Sequence, residues 1–191
     1  TIITETNFDL LFNKAIESGC KAVLNEPLCN HTSFKTGGTC PVLIEPCSTE
    51  QLINLLDFIK QKDIPFTIIG NGTNLLALDS GLDKAVVKIS DRMADISLEN
   101  DDTIVCSAGT KMVSLCKFAL ENSLSGLEFA YGIPGSCGGA VFMNAGAYGG
   151  EIKDVLVEIT HITPDLEIET IPAEKAELSY RHSIYKNNGC I

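Results

Sequence analysis

The chain has 191 residues, 45% hydrophobic and 20% charged, a balance that supports one large domain or two small lobes with a real core. A formal net charge of −11 argues against a nucleic-acid surface, which needs clustered lysine and arginine, but leaves room for an anionic ligand held by backbone N–H groups and one or two local cations. No apolar run reaches the roughly eighteen residues of a membrane span, and Thr1–Glu5 lacks the basic-then-apolar order of a signal peptide.

Residues 6–19 carry Phe8, Leu11, Phe12, Ala15 and Ile16 at helical spacing, with Gly19 placed to close the helix. Residues 25–40 read as a loop with short extended pieces, polar around His31 and ending in Gly37-Gly38. Pro41–Pro46 is a short strand, and Ser48 with Gln51 is a capping-box signature for a helix to about Gln61. Pro65–Gly70 is the next strand, so strand, helix and strand form a βαβ unit whose strands are expected to be parallel. Gly70-Asn71-Gly72-Thr73-Asn74-Leu75 follows directly, a glycine loop at the end of a parallel strand, a common ligand position. It is neither the dinucleotide fingerprint, whose third glycine would fall at Leu75, nor a phosphate loop ending in Gly-Lys-Ser/Thr.

A third strand is expected at Ala85–Ile89, another at Thr103–Gly109 after an acidic turn, and a helix at Lys111–Ser123. From Asp154 the pattern alternates on both sides of Thr163-Pro164-Asp165, which predicts an antiparallel hairpin, followed by a short helix near Pro172–Leu178. The first half is therefore βαβ-like and the second mainly antiparallel, two α+β lobes with their glycine loops facing across a cleft. The eight cysteines include no C-x-x-C pair and fit neither a zinc site nor a disulfide framework, so no metal is expected and a reduced, cytoplasmic protein is.

The densest signal is Gly132-Ile133-Pro134-Gly135-Ser136-Cys137-Gly138-Gly139-Ala140, running on to Asn144-Ala145-Gly146-Ala147-Tyr148-Gly149-Gly150. Two readings stand from the residues alone. A glycine-rich loop entering a helix start would offer free N–H groups to a phosphate or pyrophosphate, or it is a tight turn packed on a sheet.

Taken in order, Gly70–Leu76, Gly126–Ala140, Asn144–Gly149 and Tyr180-Arg181-His182-Ser183 closely resemble the UDP-N-acetylenolpyruvoylglucosamine reductase (MurB) family. Asn25–Leu28 and His31–Gly38 look like that family's start. The resemblance implies an α+β fold of the vanillyl-alcohol-oxidase (PCMH) type, with a helical segment at 1–24, FAD-binding subdomains at 25–90 and 91–191, and FAD between them. It implies NADPH-dependent reduction of the enolpyruvyl ether of UDP-N-acetylglucosamine, a sugar-nucleotide substrate, to UDP-N-acetylmuramate for peptidoglycan. It places FAD on Gly70, Asn71, Gly72, Thr73, Asn74, Leu75, Gly109, Gly132, Ile133, Pro134, Gly135, Ser136, Gly138 and Gly139, makes Arg181 the catalytic arginine, and puts Tyr148 at the substrate.

Two departures stand beside it. The family's proton-donating serine and its glutamate belong to a later substrate domain; here no glutamate follows Glu177, and Ser183 lies inside the arginine motif. The chain therefore resembles the flavin domain without the rest. Cys137 stands where small or branched apolar residues are more usual, and with His31 it keeps open a flavin-linked oxidase of the same fold. A nucleotide-binding module without catalysis is the other alternative.

Overall fold

The computed structural model describes residues 6–191, and the chain divides after Met93 into two units, the second being Ala94–Ile191. Residues 1–5 of the expected N-terminal helical segment lie outside the described residues.

In the first unit, helix α1 (Asn7–Glu17) starts at Thr6 through a closed capping box with Asp9 and buries Leu11 and Ala15. Strand β1 (Lys21–Pro27) pairs antiparallel with β2 (Thr39–Glu45). The loop expected from residue 25 thus starts later, at Leu28. β1 has no clean alternation of burial, and its partner lies beyond a 3₁₀ turn at Leu28–Asn30, so a local window does not reveal it. Helix α2 (Thr49–Gln61) begins where expected, with the Gln51 N–H donating to the Ser48 hydroxyl at 3.1 Å. The Gln51 side chain reaches past Ser48 to accept from the Cys47 N–H at 2.9 Å, so the reciprocal half of the box falls one residue upstream.

Strands β3 (Phe66–Ile69) and β4 (Ala85–Lys88) complete a sheet of order β1-β2-β4-β3, with β2, β4 and β3 mutually parallel. The βαβ reading holds for direction but not for adjacency, since β4 inserts between β2 and β3. The reason is burial: Ala85, Val86 and Val87 are wholly inaccessible, and such a strand needs neighbours on both edges and cover on both faces. Part of that cover is the connection from β3 to β4, whose Leu75, Ala77 and Leu82 pack against Leu28, Leu43, Ile69 and Val86.

In the second unit, β5 (Ile96–Leu98) pairs with β6 (Ile104–Cys106) across the acidic turn. Helix α3 (Met112–Glu121) and the short α4 (Cys137–Met143) pack through Met112, Cys116, Cys137 and Ala140. A small hairpin, β7 (Gly146–Ala147) with β8 (Gly150–Glu151), follows α4. The longer hairpin pairs β9 (Glu158–Ile162) with β10 (Ile168–Pro172). It begins later than the alternation suggests, because Ile152–Asp154 forms a 3₁₀ turn closed by Glu151 and Asp154. Every named strand pair of this unit is antiparallel, as expected.

Candidate functional site

In the first unit, Gly70–Leu75 leaves the C-terminal end of β3 and folds onto the His31–Ser33 backbone. Gly72 has φ +65°, and a Cβ there would stand 2.0 Å from the His31 carbonyl oxygen. Only glycine allows that approach. The Ser33 N–H donates to the Gly72 carbonyl at 3.1 Å and fixes the contact. Leu75 turns its side chain into the core, so it has only backbone to offer a ligand.

Beside this loop lies a chain of charged groups. Lys88, at the end of β4 and opposite Ile69, donates its ammonium to His31 Nδ1 at 3.1 Å. His31 Nε2 in turn meets Glu26 Oε1 at 2.8 Å. Lysine has donors only, so Nδ1 is the acceptor and the proton sits on Nε2. Burial pushes the Glu26 carboxyl up, but hydrogen bonds from Asn30 and His31 and the nearby Lys21 ammonium outweigh it and leave it below its ordinary value. Both ring nitrogens of His31 are therefore engaged, which removes the support it lent to a flavin-linked oxidase. Lys88 carried no sequence signal, since its partner is 57 residues away.

In the turn that the Thr32 hydroxyl closes on the Thr36 carbonyl, Thr36 Oγ1 is the buried side-chain polar atom without a hydrogen-bond partner among the described residues. An orphaned buried hydroxyl costs about 1–3 kcal/mol, so its persistence suits a ligand that reaches it. With the glycine backbone and Lys88 nearby, the donor set fits an anionic, polar cofactor such as FAD.

In the second unit the glycine-rich segment behaves differently from the free-donor reading. The Cys137 N–H donates to the Thr110 carbonyl at 2.8 Å, Gly138 to Ala108 at 2.9 Å, and Gly139 to the Ser136 hydroxyl at 3.4 Å. The start of α4 is thus satisfied internally. Gly138 is required by packing: a Cβ there would lie 2.8 Å from Ala108 Cβ. Gly109 is buried in the turn that receives these bonds. Ile133 donates to Ala130, and Pro134 has no N–H, so the segment's remaining backbone donors are on Gly132, Gly135 and Ser136. Cys137 is buried in the core beside Cys106; that neighbour's thiol and burial both push it up, and it acts as a small apolar filler rather than a nucleophile.

The arginine motif forms a four-residue turn, with Ser179 and His182 exchanging both backbone hydrogen bonds. Arg181 occupies its third position with φ +53°, where glycine is the usual residue. It is exposed and takes part in neither the Lys153–Glu151 ion pair nor the His161–Glu169 contact of this unit. Tyr148, at the tip of the β7–β8 hairpin, is 95% exposed and also left-handed, with φ +52°.

Comparison with known proteins gives the family. A model described as "FAD binding domain" matches residues 40–171. The chain belongs to this FAD-binding family. Its members' signature covers both units, and the relatives narrow it further. The chain is 45% identical over 168 residues to the UDP-N-acetylenolpyruvoylglucosamine reductase of Syntrophomonas wolfei, covering 88% of this chain and 56% of that protein. It is 42% identical over 164 residues to the Bacillus subtilis reductase, covering 86% and 54%. The FAD-binding chain thus spans about half the length of these relatives. Among solved structures, the Thermus caldophilus reductase matches with a TM-score of 0.70 at 30% identity, over 90% of this chain and 59% of that one. Substrate-bound p-cresol methylhydroxylase matches with a TM-score of 0.68 at 12% identity, over 93% and 38%, a likeness of fold alone. The fold is the vanillyl-alcohol-oxidase type that the sequence predicts.

Proposed function

We propose that this chain is the FAD-holding part of a UDP-N-acetylenolpyruvoylglucosamine reductase, which reduces the enolpyruvyl ether of UDP-N-acetylglucosamine with NADPH. FAD, when bound, supplies hydride transfer between NADPH and the enolpyruvyl group. In the first unit Gly70, Asn71, Gly72, Thr73, Asn74 and the Leu75 backbone hold the cofactor, with Lys88 as local positive charge. In the second, Gly132, Gly135 and Ser136 contact it through their free backbone donors, while Gly109, Ile133, Pro134, Gly138 and Gly139 shape the loop that presents them.

The observation that carries the reading is Arg181. A non-glycine residue held at positive φ costs about 1–3 kcal/mol and persists only where its surroundings over-determine it. Of the nine non-glycine residues at positive φ among the described residues, Arg181 alone is an arginine, an exposed guanidinium outside the ion pairs of its neighbourhood. Such a group binds the enolpyruvyl carboxylate through two parallel hydrogen bonds and stabilises the enolate-like charge that develops on it. Tyr148, at the exposed tip of the β7–β8 hairpin, serves the sugar nucleotide. A cytoplasmic location goes with this reading, and no helix among the described residues is long and apolar enough to cross a membrane.

The test is the visible absorbance spectrum of the purified chain, before and after addition of FAD and desalting. Retained flavin bands support the cofactor assignment, and a colourless protein refutes it for this chain. NADPH oxidation stimulated by the enolpyruvyl sugar nucleotide, measured on the longer protein, tests the substrate.

A further inference from the structure

Arg181 does not hold its turn by itself. Ser179, which opens the turn, is tied to a buried residue, Asn144, which is 3% exposed and closes α4 in the left-handed conformation at φ 43°, ψ 56°. The Asn144 Nδ2 donates one hydrogen to the Ser179 carbonyl and the other to Glu151 Oε2, each at 3.1 Å. Its Oδ1 accepts from the Lys153 N–H at 3.0 Å. The orientation of the carboxamide follows from these partners, since a carbonyl only accepts and a backbone N–H only donates.

The Ser179 carbonyl is also the acceptor for the His182 N–H, at 3.0 Å, so one oxygen closes the Arg181 turn and receives Asn144. Glu151 belongs to β8, the strand leaving the Tyr148 tip, and its carboxylate also binds the Lys153 ammonium at 2.7 Å. One side chain therefore joins the end of α4, the hairpin that carries Tyr148 and the turn that carries Arg181. Glycine would satisfy the left-handed backbone at this position equally well. The carboxamide is what glycine would lack.

We propose that Asn144 is the positioning residue for Arg181, holding the guanidinium in one place relative to the Tyr148 hairpin so that it meets an anionic substrate group without reorganising. The proposal rests on the reading of Arg181 given above, yet its test does not depend on turnover. Prepositioning matters because a charge-stabilising donor works best when its geometry is set before the charge appears.

The experiment is amide hydrogen exchange on the 191-residue chain and two variants. Asn144→Gly keeps the backbone conformation and removes only the carboxamide. Exchange at the His182 N–H is expected to accelerate by at least about tenfold, while the β9–β10 ladder is unchanged, the mark of a local opening. Asn144→Asp keeps the acceptor but sets a carboxylate against Glu151 and the Ser179 carbonyl, with Lys153 and Asp154 the other charged groups nearby. Protection of His182 is then expected to return as pH falls and the new carboxyl gains a hydrogen to donate. Unchanged His182 exchange in Asn144→Gly overturns the proposal. So does equal acceleration of the β9–β10 ladder, or a flat pH profile in Asn144→Asp. Loss of the Arg181 reading would show instead as undiminished turnover in Arg181→Ala of the longer protein, with these exchange results untouched.

Discussion

Ser183 donates its hydroxyl hydrogen to the carbonyl oxygen of Phe142 at 2.7 Å, and the Ser183 side chain is wholly buried. Phe142 lies in the last turn of α4, where carbonyls have no partner within the helix. The serine of the Tyr-Arg-x-Ser motif is therefore an anchor that pins the arginine turn to a helix end. Replacing it with alanine removes that bond from a helix-end carbonyl, which costs about 0.5–1.5 kcal/mol. Ser183→Ala should lower the denaturant midpoint of the chain accordingly. An unchanged midpoint would mean that water replaces the hydroxyl without loss.

Arg181→Ala removes an exposed side chain and relieves no packing, so stability should be nearly unaffected. On the function proposed above, turnover of a longer protein carrying this chain should fall by roughly 10²–10³, the scale for losing one donor aimed at developing charge. Steady-state kinetics beside a thermal melt separate the two effects. Turnover close to wild type would remove Arg181 from the chemistry.

Gly138→Ala places a methyl group 2.8 Å from Ala108 Cβ and 3.2 Å from its carbonyl oxygen. Overpacking of this kind costs about 1–3 kcal/mol. Adding Ala108→Gly should restore part of the loss, because the nearest clashing atom is then gone. A double-mutant cycle on unfolding free energies measures this coupling, and strict additivity would contradict the contact.

Acid should weaken the first unit through Glu45. Burial pushes its carboxyl up, but the Lys21 ammonium at 2.9 Å and the Ser90 hydroxyl outweigh burial, and the folded group sits below its ordinary value of 4.5. A carboxyl lowered on folding adds stability that is complete above its ordinary value and is lost as pH falls through the lower folded one. Melting temperatures measured from about pH 6 to pH 3 should decline. Lys21→Met should flatten the part of that slope due to Glu45, and an unaltered slope would assign the acid sensitivity elsewhere.

Much of the fold is legible in the residues because the forces that write it are local. Ser48 caps α2 through a group three residues away, Phe8 to Ile16 repeat at helical spacing, and Leu166–Ile171 alternates against Asp154–Ile162 across a Pro-Asp turn. The glycine loops and the Tyr-Arg-His-Ser motif are equally visible, since their residue types are rare in that order. An asparagine directly after the α4 run was also a readable helix-end signal, though nothing local says what its side chain binds.

The sequence by itself determined the starts of α1, α2 and α3, the direction of the strands it predicts and the family, and it singled out Arg181 as the candidate arginine. Only the tertiary structure decided that β1 is a strand, that β4 lies between β2 and β3, and that the α4 N–H groups are already taken by residues 108–110 and Ser136. It also brought Lys88 to His31, and Asn144 to Ser179 across 35 residues. Periodicity and capping report energies settled within a few residues. A strand's neighbour, or a buried donor's acceptor, is chosen by whichever distant group satisfies it once the core has closed, and no local window contains that group.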